Sequence, residues 1–170
     1  MRRGAASAGA RSAVKQNATR VRIRRVQPAD LSNITALDQR VTGLAKPDYW
    51  HDVFGRYGQR PGKDGVFLVA ESRFADDGGA RVVGFIIGEV RAWEFGSSPC
   101  GWVFALSVEP ELRQRGIGEA LFEAISTEFK GAGVRKMRTM VARDSRLHLL
   151  FFRGEGMMAG PYIQLEKDLD

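Results

Sequence analysis

One cysteine, Cys100, is all the chain has. No internal disulfide can staple it, and the expected setting is reducing and cytoplasmic. A small residue at a strand edge suits that thiol better than a nucleophile's role. No apolar run approaches the roughly 18 to 20 residues that span a bilayer, so no membrane partner is expected. Acidic residues are missing altogether from positions 1–25, which hold Arg2, Arg3, Arg11, Lys15, Arg20, Arg22, Arg24 and Arg25. Taking those 8 from the chain's 26 Lys and Arg leaves 18 against 20 Asp and Glu, a balance of −2 for residues 26–170. The net charge of +6 therefore belongs to the first 25 residues, the leader and the strand that follows it. Residues 1–20 also lack the apolar block of a secretory signal. Their Arg- and Ser-rich makeup is shared by organelle transit peptides, but the reading preferred here is a basic, disordered extension. The leader has no aromatic residue to stack on bases, so nucleic acid is not an expected partner.

What is present reads as one domain over residues 21–170, with room for one sizeable core. Hydrophobic residues make up 44% and charged residues 27%, as in ordinary globular proteins. Residues 21–26 alternate apolar and basic side chains, the pattern of a half-buried strand. Pro28-Ala29-Asp30-Leu31 opens a helix carrying Leu31, Ile34, Leu37, Asp38 and Val41, which Gly43 ends. A second helix is predicted from 47 to about 57, before Gly58 and Pro61-Gly62. Residues 66–70 form a second strand, and Asp76-Asp77-Gly78-Gly79 a hairpin turn. The third strand runs from 82 to about 93, where Gly84 and Gly88 allow a bulge or a close backbone approach. Residues 136–141 form a fifth strand, Asp144-Ser145 cap a helix through 152, and 156–158 and 162–167 close the chain as strands.

Between them, residues 102–129 organise the chain. Trp102-Val103-Phe104-Ala105-Leu106-Ser107-Val108 is apolar almost throughout, as in a strand covered on both faces. Glu109-Pro110 stops it. Arg113-Gln114-Arg115-Gly116-Ile117-Gly118 follows, and then a helix with Ile117, Leu121, Ala124, Ile125 and Phe129 at spacings of three and four. Glycines just before a helix let several N–H groups converge, and the unpaired first turn with its dipole favours an anion, commonly a phosphate. Arg113 and Arg115 add positive charge. A P-loop would need lysine and Ser/Thr after the last glycine, where Glu119-Ala120 stands. A dinucleotide fingerprint would need Gly or Ala where Leu121 stands.

The same six residues resemble the coenzyme A loop of the GNAT acetyltransferase superfamily: Arg or Gln, two residues, Gly, one residue, then Gly or Ala. The strand ending Leu106-Ser107-Val108, the Glu109-Pro110-Glu111-Leu112 connection and the following helix match that context. Phe151-Phe152-Arg153-Gly154-Glu155-Gly156-Met157 resembles a second family motif near the C-terminus, F-Y-x-x-x-G-F. The resemblance spans residues 21–170. It implies an α/β (α+β) fold of order β-α-α-β-β-β-α-β-α-β, a mixed, mostly antiparallel central sheet with helices on both faces. It also implies acetyl-CoA as acyl donor, with no metal, and leaves a homodimer open. In the family, backbone groups matching Leu106, Ser107 and Val108 pair with the pantetheine arm. The loop amides of Arg113, Gln114, Arg115, Gly116, Ile117 and Gly118 would take the pyrophosphate. Ser145 stands where many members have asparagine. Phe152 stands where many have a tyrosine that protonates the leaving thiolate, and it has no proton to give.

The function these residues imply is N-acetyl transfer to a primary amine by direct attack in a ternary complex. A thiol of pKa about 8.5 leaves without a strong acid, and main-chain N–H groups where the fourth and fifth strands separate can stabilise the oxyanion. The attacking ammonium must still lose a proton. Some family members use a glutamate on the fourth or fifth strand, but the matching positions hold Trp102 and Met140. Glu94 and Glu89 are the candidate bases, acting through water, ahead of Glu71 and His51. Tyr49, Trp50 and His51, with Phe54, Trp93 and Trp102, are the candidates to wall an acceptor pocket. Trp50 and Phe54, four apart, could instead anchor their helix to the sheet. The rival function is an acyl-CoA-binding sensor that has lost its chemistry.

Overall fold

The computed structural model of the chain describes residues 21–59, 65–73 and 79–169. The basic leader, the Pro61-Gly62 turn and most of the expected hairpin turn at 76–79 lie outside the described residues. Among the described residues the order is β1 (Val21–Arg25), α1 (Leu31–Thr42), α2 (Pro47–Tyr57), β2 (Gly65–Arg73), β3 (Ala80–Arg91), β4 (Cys100–Val108), α3 (Ile117–Gly131), β5 (Met137–Thr139) and α4 (Arg146–Gly154). The strands form one sheet in sequence order. The first four are antiparallel neighbours, whereas β5 runs parallel to β4, as the α3 crossover between them requires.

The middle of the sheet is apolar on consecutive residues because both faces are covered. Val83 and Ile86 of β3 belong to the core built with Leu121, Ile125 and Phe129 of α3. Val82, Phe85 and Ile87 belong to the opposite core, with Ile34 and Leu37 of α1 and Trp50 and Phe54 of α2. At the entry to α1 the Asp30 carboxylate accepts from the Gln27 N–H at 2.7 Å and from both terminal nitrogens of Arg24 at 2.7 and 2.9 Å. Gly43, at φ 79°, ends the helix in the left-handed conformation that glycine alone adopts freely.

Two irregularities position the site. The β3–β4 register pairs Ile87 with Ala105 but Gly88 with Val103, so Phe104 is the extra residue of a bulge. Gly88 is also the close approach its sequence suggests. A Cβ there would lie 2.8 Å from both the Phe129 ring and the Trp102 carbonyl oxygen. The second irregularity is that β4 and β5 share only three rungs, at Gly101–Met137, Trp102–Arg138 and Val103–Thr139. Thr139 Oγ1 then donates to the Val103 carbonyl at 2.8 Å, and the strands part. From 104 to 108, β4 has β3 on one side and, among the described residues, no strand on the other.

The C-terminus departs from expectation. Residues 156–158 and 162–167 form no strand, and β5 covers three residues rather than 136–141. Gly156 and Met157 are used to end α4. Gly156 takes φ 81°, and the Met157 N–H donates to the Phe152 carbonyl at 2.9 Å. Farther on, Tyr162 lies under the Arg138 guanidinium, 4.5 Å from ring centre to carbon, instead of joining the short β5 edge. Ser145 does stand at the N-cap of α4, but its hydroxyl bonds His148 Nδ1 at 2.7 Å rather than a first-turn amide.

Candidate active site

The donor side grows out of the end of β4. Glu109, 3% exposed, is held from α1 by Arg40, whose Nε lies 3.2 Å from Oε2 and whose Nη2 contacts Oε1. A 3-10 turn at Pro110–Leu112 follows, and Arg113 Nε donates back to the Val108 carbonyl at 3.3 Å. Gln114 (φ 61°) and Gly116 (φ 79°) are both left-handed. That curl delivers the chain into α3 with Gly116 at the N-cap. The Ala120 N–H to Gly116 carbonyl bond, at 3.0 Å, is the first of the helix. The amides of Ile117, Gly118 and Glu119 therefore have no partner within it. Ile117, 2% exposed, pins the turn to the core, while Gln114, Arg115 and Gly116 are exposed. A helix start with three amides free of helix partners thus adjoins the strand edge left open at 104–108, where Ser107 Oγ is buried without a hydrogen-bond partner. An open main-chain edge leading to converging amides fits an extended group ending in phosphates.

The other donor-side candidates are placed differently. A Cβ on Gly118 would lie 2.9 Å from the Phe151 ring of α4, so this glycine is also required by helix packing. Phe152 is 7% exposed, in a cluster with Phe122 and Phe151 at ring separations of 6.0 and 5.2 Å. Ser145 is half-buried and bonded to His148.

A second group of candidates lies on the α2 face of the same sheet. Glu89 of β3 accepts from Tyr57 Oη at 3.1 Å and from Arg91 Nε at 2.8 Å. Tyr57 in turn faces the bulged Phe104, with ring centres 5.1 Å apart. Burial first, and then its bond to Glu89, hold the Tyr57 phenol above the usual 10. The Arg91 guanidinium lies 4.7 Å over the Trp102 ring, and its Nε is 3.9 Å from Glu94 Oε1. Glu89 and Glu94 therefore flank one cation. The sequence did not single out Tyr57, Arg91 or Phe104. The available signal was spacing: Trp50, Phe54 and Tyr57 share one stripe of α2, and Glu89 and Arg91 share one face of β3.

The remaining candidates stand apart from this group. Glu71 is bound to Arg24, 2.7 Å from its Nη2. Trp50, 2% exposed, lies against Phe67 and Phe85 and donates Nε1 to Asp38 at 3.0 Å. Phe54 is buried beside it. Both residues anchor α2 to the sheet. His51 is exposed, with Nδ1 2.9 Å from the Pro47 carbonyl one turn back. Tyr49 is 46% exposed and meets Trp50 edge-on. Among the described residues, no group of three or more His, Cys, Asp or Glu is placed to hold a metal ion.

The model of the acetyltransferase (GNAT) family matches residues 31–152. No curated protein matches the chain in sequence. Solved structures match it in fold. An aminoglycoside N-acetyltransferase, AAC(6')-Iy, in complex with CoA is 18% identical over 88% of this chain and 95% of its own, with a TM-score of 0.73. AAC(6')-Ih from Acinetobacter baumannii is 15% identical over 88% and 99%, at 0.70. A glucosamine-6-phosphate N-acetyltransferase from Arabidopsis thaliana is 18% identical over 89% and 99%, at 0.67. The family match runs from the first residue of α1 to Phe152 and takes in the open edge, the left-handed loop and the helix start. This protein belongs to the GNAT family of acetyltransferases, which use acetyl-CoA as acyl donor.

Proposed function

We propose that the chain transfers acetyl from acetyl-CoA to a primary amine by direct attack in a ternary complex. The observation that carries this reading is Glu89, held by Tyr57 and Arg91 beside the Phe104 bulge, next to the strand edge left open by β5. Leu106, Ser107 and Val108 hold the pantetheine arm through their main chain. The loop from Arg113 to Gly118 holds the pyrophosphate. When bound, the coenzyme supplies an acetyl thioester with an electrophilic carbonyl and a thiolate leaving group. Glu89 takes the proton of the incoming ammonium through a water, and Tyr57 and Arg91 fix its two oxygens so that the carboxylate cannot turn away. Solvent returns a proton to the thiolate, since Phe152 is buried and has none to give.

The fold relatives include enzymes described as acting on aminoglycosides and on glucosamine-6-phosphate, which supports a small amine acceptor. Thiol release from acetyl-CoA over a panel of amines tests the transfer, with calorimetric titration of CoA as a separate check on binding. CoA binding without thiol release for any amine would favour the sensor reading, for which the protonless Phe152 is the supporting observation.

A homodimer is part of the same proposal. An open groove of about 1,200 Å³ lies between α3, β5, α4 and the C-terminal segment. Its lining includes Lys130, Arg135, Lys136, Arg138 and Arg153 against a single acid, Glu155. Residues 162–170 carry Glu166, Asp168 and Asp170 against one Lys167. A second copy's C-terminal segment complements that groove in charge.

A further inference from the structure

Three non-glycine residues stand at positive φ among the described residues. One, Gln114, shapes the donor loop. The other two, Trp93 (φ 62°) and Phe95 (φ 46°), lie two apart in the β3–β4 connection, which Gly96 (φ 74°) completes. Left-handed backbone is disfavoured for any residue bearing a Cβ. Burial does not offset it here, because Trp93 is 71% exposed and the Phe95 ring is wholly in solvent. A loop that adopts a disfavoured conformation and turns two large aromatic rings outward calls for a ligand to cover them.

The chemistry beside those rings says what kind of ligand. Arg91, the last residue of β3, joins Glu89 at 2.8 Å to Glu94 at 3.9 Å. Glu89 is mostly enclosed, beside Tyr57 and the bulge. Glu94 stands between Trp93 and Phe95 in sequence and is half exposed. One carboxylate is therefore inside and one at the rim, linked by a single guanidinium. Aromatic faces attract both cations and flat rings.

We infer that the β3–β4 connection is the acceptor clamp: Trp93 and Phe95 cover a ring of the acceptor while Glu94 receives its ammonium on the way to Glu89. The acceptor class is a primary amine carried on a ring-bearing frame, rather than an acyclic amine. This inference rests on the assignment of Glu89 to the attacking amine.

The experiment compares phenethylamine and tyramine, as ring-bearing probes, with n-butylamine, on the full chain and on a Trp93→Ala/Phe95→Ala double variant. Calorimetric titration of each amine in the presence of CoA reads binding whether or not transfer occurs, and thiol release gives KM and kcat. Each ring contact is worth about two- to tenfold in affinity. In the wild-type chain at least one ring-bearing amine is expected to bind about tenfold or more tightly than n-butylamine. In the double variant that advantage collapses through KM rather than kcat, with CoA affinity unchanged as the check on folding. Equal binding of all three amines by the wild-type chain, or an advantage that survives the double substitution, overturns the clamp. Tight ring-amine binding that the double variant loses, without thiol release, would overturn the acetyl transfer proposed above and leave Trp93 and Phe95 as an amine-binding site only.

Discussion

Glu89 and Trp50 show how differently two polar-bearing side chains on neighbouring elements are used. Glu89 has each carboxylate oxygen held by one donor, Tyr57 or Arg91, so Glu89→Gln keeps the shape and removes the proton acceptor together with the charge that pairs with Arg91. General-base assistance contributes roughly 10²–10⁴-fold. The substitution should lower kcat by at least about a hundredfold at pH 7, with CoA affinity unchanged in a calorimetric titration. A fall of less than about threefold would remove Glu89 from the reaction. Trp50 is the opposite case. It is enclosed by Phe67 and Phe85 and bonded to Asp38, and truncating a buried aromatic to alanine costs about 3–5 kcal/mol. Trp50→Ala should therefore lower unfolding free energy by that order in a urea titration. The thiol-release rate per folded molecule should change far less than in Glu89→Gln. Sequence reasoning placed Glu94 and Glu89 ahead of Glu71 and His51 but could not choose between the first two. What separates it from Glu71 is the partner across space, Tyr57 for one and Arg24 for the other, and pairing across 32 or 47 positions leaves no local pattern. Phe104 was hidden for the same reason, since a bulge is a property of two strands in register and not of either alone.

At the scale of elements, the strand–loop–helix unit from β4 to α3 was legible because each of its signals is local. An apolar run, a proline stop, a glycine turn and a three-four stripe all lie within thirty or so positions. The C-terminal strands were misread because alternation at 162–167 is a preference that only an available edge can satisfy, and β5 offers three residues. The seam between α3 and α4 carries its own testable consequence. Glu155, at the C-terminal end of α4, is pushed above the usual carboxylate range by burial and then by Glu119 and Glu123 of α3. A carboxyl whose folded-state pKa is raised binds its proton more tightly when folded. Ionising it therefore disfavours the native state. The penalty is fully present above the raised pKa and is relieved as pH falls from there through the unfolded value of 4.5. Glu155→Gln should raise Tm at pH 7, and the gain should vanish toward pH 4. A gain that does not change with pH would mean that the carboxylate's charge is irrelevant to the seam.

The whole molecule is uneven in what it leaves uncovered. Among the described residues, Met140, Leu147, Leu149, Leu150, Met158, Tyr162, Ile163, Leu165 and Leu169 are large, apolar and exposed, and all lie in the C-terminal 31 positions. Ile163 and Leu165 fall on one face of an extended segment, at 83% and 84% exposure. Burying each is worth about 1.5–3 kcal/mol, so two copies exchanging this segment bury four such side chains for about 6–12 kcal/mol. Association costs roughly 4–15 kcal/mol. The two ranges overlap, so burial alone does not guarantee a dimer, and main-chain bonds to the β5 edge with the acidic tail on the basic groove must tip the balance. A finely balanced dimer depends on concentration and salt. Sedimentation equilibrium of the full chain should show a dimer at tens of micromolar that dissociates on dilution and more readily in high salt. Ile163→Lys/Leu165→Lys should be monomeric at every concentration and still bind CoA, because the donor loop lies at the other end of α3. A wild-type chain that stays monomeric throughout would overturn the homodimer.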